Sequence, residues 1–325
     1  MNKLLHLLHL GKSYGIMHDI VLSYPPFQYT IEPTNACNLA CVFCPQSNPA
    51  HASIRPKGYL KPENFLRFLR KVEEVKPGNR NLNLTLDGEP FVNPHFLELV
   101  KMTIENKFFP IFATNGVLLN RERVNELVAM GPFRASIDFS SDENIFETIR
   151  GRKGDFGAVF ENLRHLIMLA QSNSNIHIDV HDITSFSGAD PAISLARMRQ
   201  LFPQKLPSKI RFSSRKFHNF CGHLNFDHSK SKYRLCPYPW TQMAVTYTGD
   251  CVACCRDTAA RSVFGNVFQS SLMSIWNNEA YKQFRQNLLL QHPELNAACK
   301  ECDLPHSGHE SRWNPIYVVH SLLGR

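Results

Sequence analysis

Between Phe27 and Ser213 the apolar residues switch back and forth between strand spacing and helix spacing, six times over. Alternating stretches fall at Phe27–Glu32, Leu82–Leu86, Pro110–Thr114, Arg134–Phe139, Ile176–His181 and Lys209–Ser213. Between them lie helical patterns. One is opened by Pro62 and carries Phe65, Phe68, Leu69 and Val72; one is entered through Asn93-Pro94 and carries Phe96, Leu97, Val100 and Ile104. Three more carry Val124 and Leu127, then Val159, Leu163, Leu166 and Ile167, then Ala192–Leu201. A strand–helix repeat of this length predicts an α/β fold with a parallel sheet and helices outside it. Strands buried on both faces of such a sheet read as unbroken apolar runs, but these alternate. Their polar sets are Gln28, Thr30 and Glu32; Asn83, Thr85 and Asp87; Ser136 and Asp138; His177, Asp179 and His181; Arg211 and Ser213. Since neighbouring side chains point to opposite faces, the helices cover the apolar face and the polar one needs a ligand to satisfy it. An antiparallel sheet with one wet face would alternate in the same way, though without intervening helices.

Directly after the first strand stand Cys37, Cys41 and Cys44, spaced C-x3-C-x2-C. Thiolates are the usual ligands of iron–sulfur clusters, and three of them leave the fourth iron of a [4Fe–4S] cube open to a small molecule. A zinc knuckle is the competing use, but structural zinc takes four closed ligands and this loop offers three. The stretch Cys37-Asn-Leu-Ala-Cys-Val-Phe-Cys44 resembles the signature of the radical S-adenosylmethionine (SAM) superfamily, with Phe43 at the aromatic position before the third Cys. The resemblance implies a partial (β/α)6 TIM-like barrel, open on one side, whose lumen is the polar face. It thereby makes His177, Asp179, His181 and Arg211 the expected substrate contacts. It further implies that Gly88 and Glu89 of Asp87-Gly-Glu-Pro90 receive the SAM amino group, with Asp87 replacing the family's first Gly. Asn115 in Thr114-Asn-Gly116, Ser136 and Asp138 in Ser-x-Asp, and Arg150 in Ile149-Arg-Gly151 complete the cofactor-binding set by the same likeness.

The last third carries a second cysteine group. The β-α rhythm stops over 214–235, and then come Cys236, Gly249, Cys254, Cys255, Cys299 and Cys302. Twelve residues separate Cys236 from Gly249 and four separate Gly249 from Cys254, which resembles the SPASM or shorter twitch auxiliary-cluster extension. Cys236, Cys254, Cys299 and Cys302 would complete one auxiliary [4Fe–4S] cluster, with Cys255 an alternative to Cys254; a four-cysteine zinc ribbon uses the same ligand count. The order along the chain is then an N-terminal helical extension (1–26), the radical SAM core (27–213), a linker (214–235), the auxiliary domain (236–315) and a tail (316–325).

Ten Cys in 325 residues are too sparse for a disulfide scaffold. The N-terminal run lacks a signal-peptide cleavage site, no apolar run approaches a membrane span, and oxygen-sensitive clusters point to the cytoplasm. The net charge of +8 is spread along the chain. Its densest groups, Arg211, Arg215 and Lys216, then Lys230, Lys232 and Arg234, come without a base-stacking module, which argues against nucleic acid; an anionic or phosphorylated substrate near them would fit better.

The expected function is oxidation of a polar substrate such as a sugar, an aminocyclitol or a peptide. SAM, a SAM-binding [4Fe–4S] cluster and an electron donor such as flavodoxin or ferredoxin are implied. The arrangement resembles the butirosin-pathway aminocyclitol dehydrogenase type. Epimerisation, with Cys221 returning a hydrogen atom near the barrel mouth, and modification of a ribosomal peptide are the competing enzyme readings. A bare electron carrier would leave Glu89 and Ser136 unexplained.

Overall fold

The structure, a computed structural model, describes residues 3–203, 205–224 and 233–306. The expected tail, the end of the auxiliary domain beyond 306, and Lys230 and Lys232 lie outside these residues. Strands among the described residues are β1 (Gln28–Ile31), β2 (Asn81–Leu84), β3 (Phe109–Thr114), β4 (Phe133–Phe139), β5 (Ile176–Asp182), β6 (Ile210–Ser214), β7 (Gln242–Val245), β8 (Asp250–Val252) and β9 (Val263–Asn266). Helices are α1 (Lys3–Lys12), α2 (Pro49–Ala52), α3 (Pro62–Glu74), α4 (Phe96–Glu105), α5 (Arg121–Met130) and α6 (Glu143–Arg150). They continue as α7 (Phe156–Gln171), α8 (Pro191–Gln200), α9 (Tyr238–Thr241), α10 (Leu272–Trp276) and α11 (Glu279–Leu289). No helix among the described residues is long and apolar enough to cross a membrane.

The six strands expected from alternation all form, each within two residues of the expected ends. Helix boundaries follow local chemistry. Pro62 stands in the first turn of α3, where its missing N–H costs nothing, and Asp190 caps α8 by accepting from Ala192 N and Ile193 N. The short α6 was not legible from periodicity. Its ends are nonetheless marked: Asp142 accepts from Ile145 N, and Gly151 closes the helix at φ 69°.

Compactness divides the chain into two units that cut across its linear order. One unit holds Pro33–Tyr59 and Asp87–Phe217. Within it β3, β4, β5 and β6 pair side by side, all parallel. Register sets Arg134 opposite His177, Ser136 opposite Asp179 and Asp138 opposite His181, while Asp179 and His181 face Arg211 and Ser213 on β6. The polar residues therefore share one face. The other face presents Ala135, Ile137, Phe139, Ile178 and Val180, all buried, with α7 and α8 packed on β5.

The other unit takes the residues up to Glu32, Leu60–Leu86 and the described residues from His218 on. Here β1 lies between β2 and β7, parallel to both, and β7, β8 and β9 continue antiparallel. Main-chain pairing of Gln28–Ile31 with Gln242–Val245 is what draws the first strand into the company of the C-terminal cysteines. Glu32 extends that join, its N–H donating to Val245 O and its carboxylate accepting from Tyr247 N at 3.0 Å. The first two polar strand sets meet as Asn83 Nδ2 donates to Thr30 Oγ1 at 3.3 Å.

The centre of this unit is a cation. Arg285 is fully buried, its guanidinium lying over the rings of Trp276 and Tyr281 at 4.4 and 4.5 Å. Its Nε donates to Pro239 O and Nη1 to Ile20 O, both at 2.9 Å. Burial brings its pKa down to about 10, so it stays charged at neutral pH. Replacing Arg285 by Ala removes both cation–π contacts and strands two buried carbonyls. The expected loss is ~3 kcal/mol, read as a fall of about 4 °C in the anaerobic melting midpoint.

Candidate active site

The Cys37–Cys44 loop is held from three sides by chain that comes later in sequence. On the first side, Gly88 has φ +68°, and a Cβ there would sit 2.5 Å from Ala36 O and 2.6 Å from Thr34 O. The next N–H, of Glu89, donates to Ala36 O at 2.8 Å. On the second, Gly151 has φ +69°, with a would-be Cβ 2.9 Å from Ala40 O, and Val42 N donates to Ile149 O at 2.9 Å. On the third, Asn115 Nδ2 donates to Asn38 Oδ1 at 2.8 Å and reaches Cys37 Sγ at 4.0 Å. The Asp87-Gly-Glu-Pro90, Thr114-Asn-Gly116 and Ile149-Arg-Gly151 segments are therefore brought together around one loop, at the C-terminal ends of parallel strands where α/β folds bind ligands.

Glu89 is the hub of this arrangement. Its Oε1 accepts from Thr114 Oγ1 at 2.7 Å and Phe91 N at 3.3 Å, and its Oε2 accepts from Asn115 N at 2.7 Å. Burial raises its carboxyl pKa while those donors oppose the rise. A carboxylate has about four lone-pair directions, so one remains open on Oε2 for an incoming ammonium group. Asp87 faces elsewhere: His51 Nε2 stands 3.5 Å and Arg55 3.6 Å from its Oδ2, so its charge is engaged by the segment that follows the Cys loop.

The thiols meet a donor-rich surround. Leu39 N donates to Cys37 Sγ at 3.5 Å, and Arg150 Nη1 lies 3.4 Å from Cys41 Sγ. Burial, with Glu89 and Cys41 adding to it, pushes the Cys37 thiol up to about 11, and burial raises Cys44 further. Metal coordination is what deprotonates thiols in such a place. Arg150 is 3% exposed, its Nη2 donates to Asp138 O, and its Nε, like Asn38 Nδ2, is buried with no partner. A buried guanidinium over sulfur, with two orphaned donors nearby, suits an anionic cluster and a carboxylate-bearing ligand. Phe43 packs edge-on against Phe186 and tilted against Phe217, at 5.8 and 5.2 Å between ring centres.

On the polar face, Arg211 forks onto Asp179 at 2.6 and 3.1 Å, and Arg134 Nε lies 3.7 Å away. Arg215 Nη1 donates to Asp138 Oδ1 at 3.0 Å, and His181 Nδ1 stands 2.9 Å from Ser213 Oγ. His177 sits edge-on to Phe109. Arg134 was not singled out from the sequence, though it shares the two-residue phase of Ser136 and Asp138; Arg215 stood there only as a member of a basic group past the strand, with no partner assigned to it.

The second cysteine group lies wholly within the other unit. Cys299 has Cys236, Cys254 and Cys302 as neighbours, and Cys236 and Cys254 pack on the same small core as Cys302. Cys255 turns away, accepting from Gln242 Nε2 at 3.6 Å and packing on Leu86, Ala244 and Val252. Cys221 is 1% exposed and lies among Cys254 and Cys302. A hydrogen bond from Cys221 holds the Cys302 thiol below its usual range. No three His, Cys, Asp or Glu side chains among the described residues converge on a point that would hold a single metal ion. Thiolates at the corners of a four-iron cube stand farther apart than the ligands of one ion.

Family models match both regions, the radical SAM superfamily over residues 31–183 and the SPASM iron–sulfur cluster-binding domain over 236–303. The chain is a radical SAM enzyme. Its cofactors are SAM, the SAM-binding [4Fe–4S] cluster and auxiliary iron–sulfur chemistry. This radical SAM enzyme is 22% identical to the S-adenosyl-L-methionine-dependent 2-deoxy-scyllo-inosamine dehydrogenase of Niallia circulans, over 84% of this chain and 91% of that one. It is 30% identical to a sporulation killing factor maturation protein of Bacillus subtilis, over 52% of this chain and 38% of that one. The crystal structure of BtrN in complex with AdoMet and 2-DOIA superposes with a TM-score of 0.58 at 20% identity, over 85% of this chain and 92% of that one. The fold is the one expected, an open α/β barrel-like core with a SPASM domain.

Proposed function

We propose that this radical SAM enzyme dehydrogenates a polar, hydroxyl- or amine-bearing small molecule. The grouping of Cys236, Cys254, Cys299 and Cys302 carries the reading. Four thiolates complete one cluster and leave no open iron for substrate, so electron acceptance is the role left to it. Likeness to an aminocyclitol dehydrogenase over most of both chains supports the same conclusion.

In this reading Cys37, Cys41 and Cys44 hold three irons of the first cluster. Bound there and cleaved reductively, SAM supplies a 5′-deoxyadenosyl radical that takes a hydrogen atom from a substrate carbon. Glu89 receives the SAM ammonium on its open lone pair, and Ser136 and Asn115 serve its carboxylate or ribose. Arg150 offsets cluster charge beside Cys41, while Gly88, Asp138 and Phe43 shape the cofactor pocket. Asp179 and Arg211, locked as a bidentate pair, present fixed polar edges to the substrate, and His177 lines the same face. His181 takes the second hydrogen as a proton, and Cys236, Cys254, Cys299 and Cys302 would hold the cluster that supplies an acceptor for the remaining electron. A C–H and an O–H (or N–H) bond break, a C=O (or C=N) bond forms, and the product is short of both hydrogens.

In the tautomer whose Nδ1 donates to Ser213 Oγ, 2.9 Å away, His181 Nε2 is the basic atom. Burial, against the pull of Asp138, holds this imidazole below its ordinary value, so the neutral base dominates at pH 7. On a competent substrate kcat/KM stays flat through neutral pH and falls tenfold per unit only below the depressed pKa, under pH ~6.5. His181→Gln should lower kcat by about a hundredfold or more with SAM binding unchanged.

The test is anaerobic turnover of a panel of aminocyclitols and polyols in deuterated water. Equal amounts of 5′-deoxyadenosine and an oxidised product are expected. A product with solvent deuterium and otherwise unchanged mass would mean epimerisation, and turnover of peptides alone would mean peptide maturation; either overturns the proposal.

A further inference from the structure

We infer that Cys221 is a fifth thiol of the auxiliary site, a positioning residue whose S–H donates to the ligand sulfurs of Cys254 and Cys302 and raises the potential of the cluster they hold. The inference rests on the ligand set proposed above.

The backbone around it is unusual. Phe220, Cys221 and Gly222 have φ of 47°, 58° and 87°, three successive residues in the left-handed region. Two of them carry a Cβ, for which that region is unfavourable. Such conformations persist where the surroundings over-determine them, and they gather at functional positions. The restraints here are specific, and most of them reach the Cys299–Cys302 segment or its flank. Asn219 N donates to Asp303 Oδ2 at 3.1 Å, Asp303 N returns the bond to Asn219 Oδ1 at 3.2 Å, and Asn219 Nδ2 donates to Glu301 O at 2.7 Å. Arg261 Nη1 donates to Cys221 O at 2.8 Å. At Gly222 a side chain would come within 2.5 Å of Glu301 Cβ. The turn is thus buttoned onto the last two cysteines, and its outcome is to set one thiol within hydrogen-bonding reach of Cys254 and Cys302.

Ligand count separates this thiol from the ligands. Cys221 and Cys302 share one buried cluster, Cys236 and Cys254 pack against it, and Cys299 adjoins them, so five thiols meet at the site. A cube has four irons and takes four thiolates, so a fifth beside two of them is left with its proton. Hydrogen bonds to cluster sulfurs, together with exclusion of water, are what set cluster potentials. Electron density withdrawn from two ligand sulfurs favours the reduced cluster. That is what an acceptor of the substrate's electron requires. A thiol buried only as a small hydrophobe would fill the same volume without affecting the potential.

The experiment compares wild type, Cys221→Ala and Cys221→Ser as anaerobically reconstituted full chains. Iron is counted and the auxiliary cluster is titrated by electron paramagnetic resonance, with SAM added to shift the other cluster's signal away. Cys221→Ala should keep its iron and bind an electron at least tenfold less favourably, a fall of 59 mV or more for one electron. Cys221→Ser keeps a donor of similar shape and should titrate at or above the wild-type potential. Loss of about four irons in either variant would make Cys221 a ligand; an unchanged potential in Cys221→Ala would make it packing. Either result overturns the inference. The ligand set itself is tested separately, since it fails if Cys254→Ala or Cys299→Ala retains the auxiliary iron.

Discussion

Cys41→Ala will abolish reductive cleavage of SAM while leaving the auxiliary cluster in place. Iron should fall from about eight to about four atoms per chain, and 5′-deoxyadenosine formation by at least about a thousandfold, or ~4 kcal/mol of barrier. The reason is local. Cys41 sits 3.4 Å from the buried Arg150 guanidinium, and no carboxylate side chain among the described residues is hydrogen-bonded to that charge. Removing the thiolate therefore deletes a metal ligand and also leaves a buried cation poorly compensated. The auxiliary cysteines lie in a different compact unit, so their iron should survive. Cys254→Ala should show the reverse, with auxiliary iron lost and the SAM-binding cluster kept. Cys255→Ala should lose neither, because its sulfur packs on Leu86, Ala244 and Val252. A Cys41→Ala protein that still makes 5′-deoxyadenosine at more than a few per cent of the wild-type rate would remove the basis for the open-iron site.

What the sequence revealed follows from the range of each interaction. Strand alternation is a local signal, so the six core strands were legible, as was the polar face that β4, β5 and β6 share. Thiols at fixed spacing are equally local, and both cysteine groups could be seen before any contact was known. Interactions between distant segments were not legible. Cys254 and Cys255 are adjacent, and what parts them is that Cys254 packs beside Cys302 while Cys255 meets Gln242. Asp87 stood in the sequence only as a departure from the family's first Gly, and its engagement by His51 and Arg55 comes from a segment some thirty to forty residues earlier. Cys221 was expected as a hydrogen donor near the substrate. Its neighbours at Cys254 and Cys302 depend on a left-handed turn that no periodicity encodes.

Gly88 shows the same division, and its substitution should have the largest effect on stability. The sequence suggests a glycine that lets the backbone approach SAM. In the structure the close approach is to the lead-in of the Cys loop, with Ala36 O, Thr34 O and Ala36 N all under 3.0 Å from a would-be Cβ. These are backbone atoms, so no rotamer change relieves the clash. The φ of +68° adds ~1–2 kcal/mol for any residue bearing a Cβ. Either Gly88 moves, breaking the 2.8 Å bond from Glu89 N to Ala36 O, or Thr34–Ala36 moves and carries Cys37 with it. Gly88→Ala should therefore cost at least about 4 kcal/mol and lower SAM-cluster iron more than auxiliary iron. Gly154, also at positive φ but with nothing within 4 Å of its would-be Cβ, provides the control. Gly154→Ala bears the backbone penalty alone and should keep all its iron. If the two variants melted together and reconstituted equally, the clasp around the Cys loop would contribute nothing beyond backbone conformation.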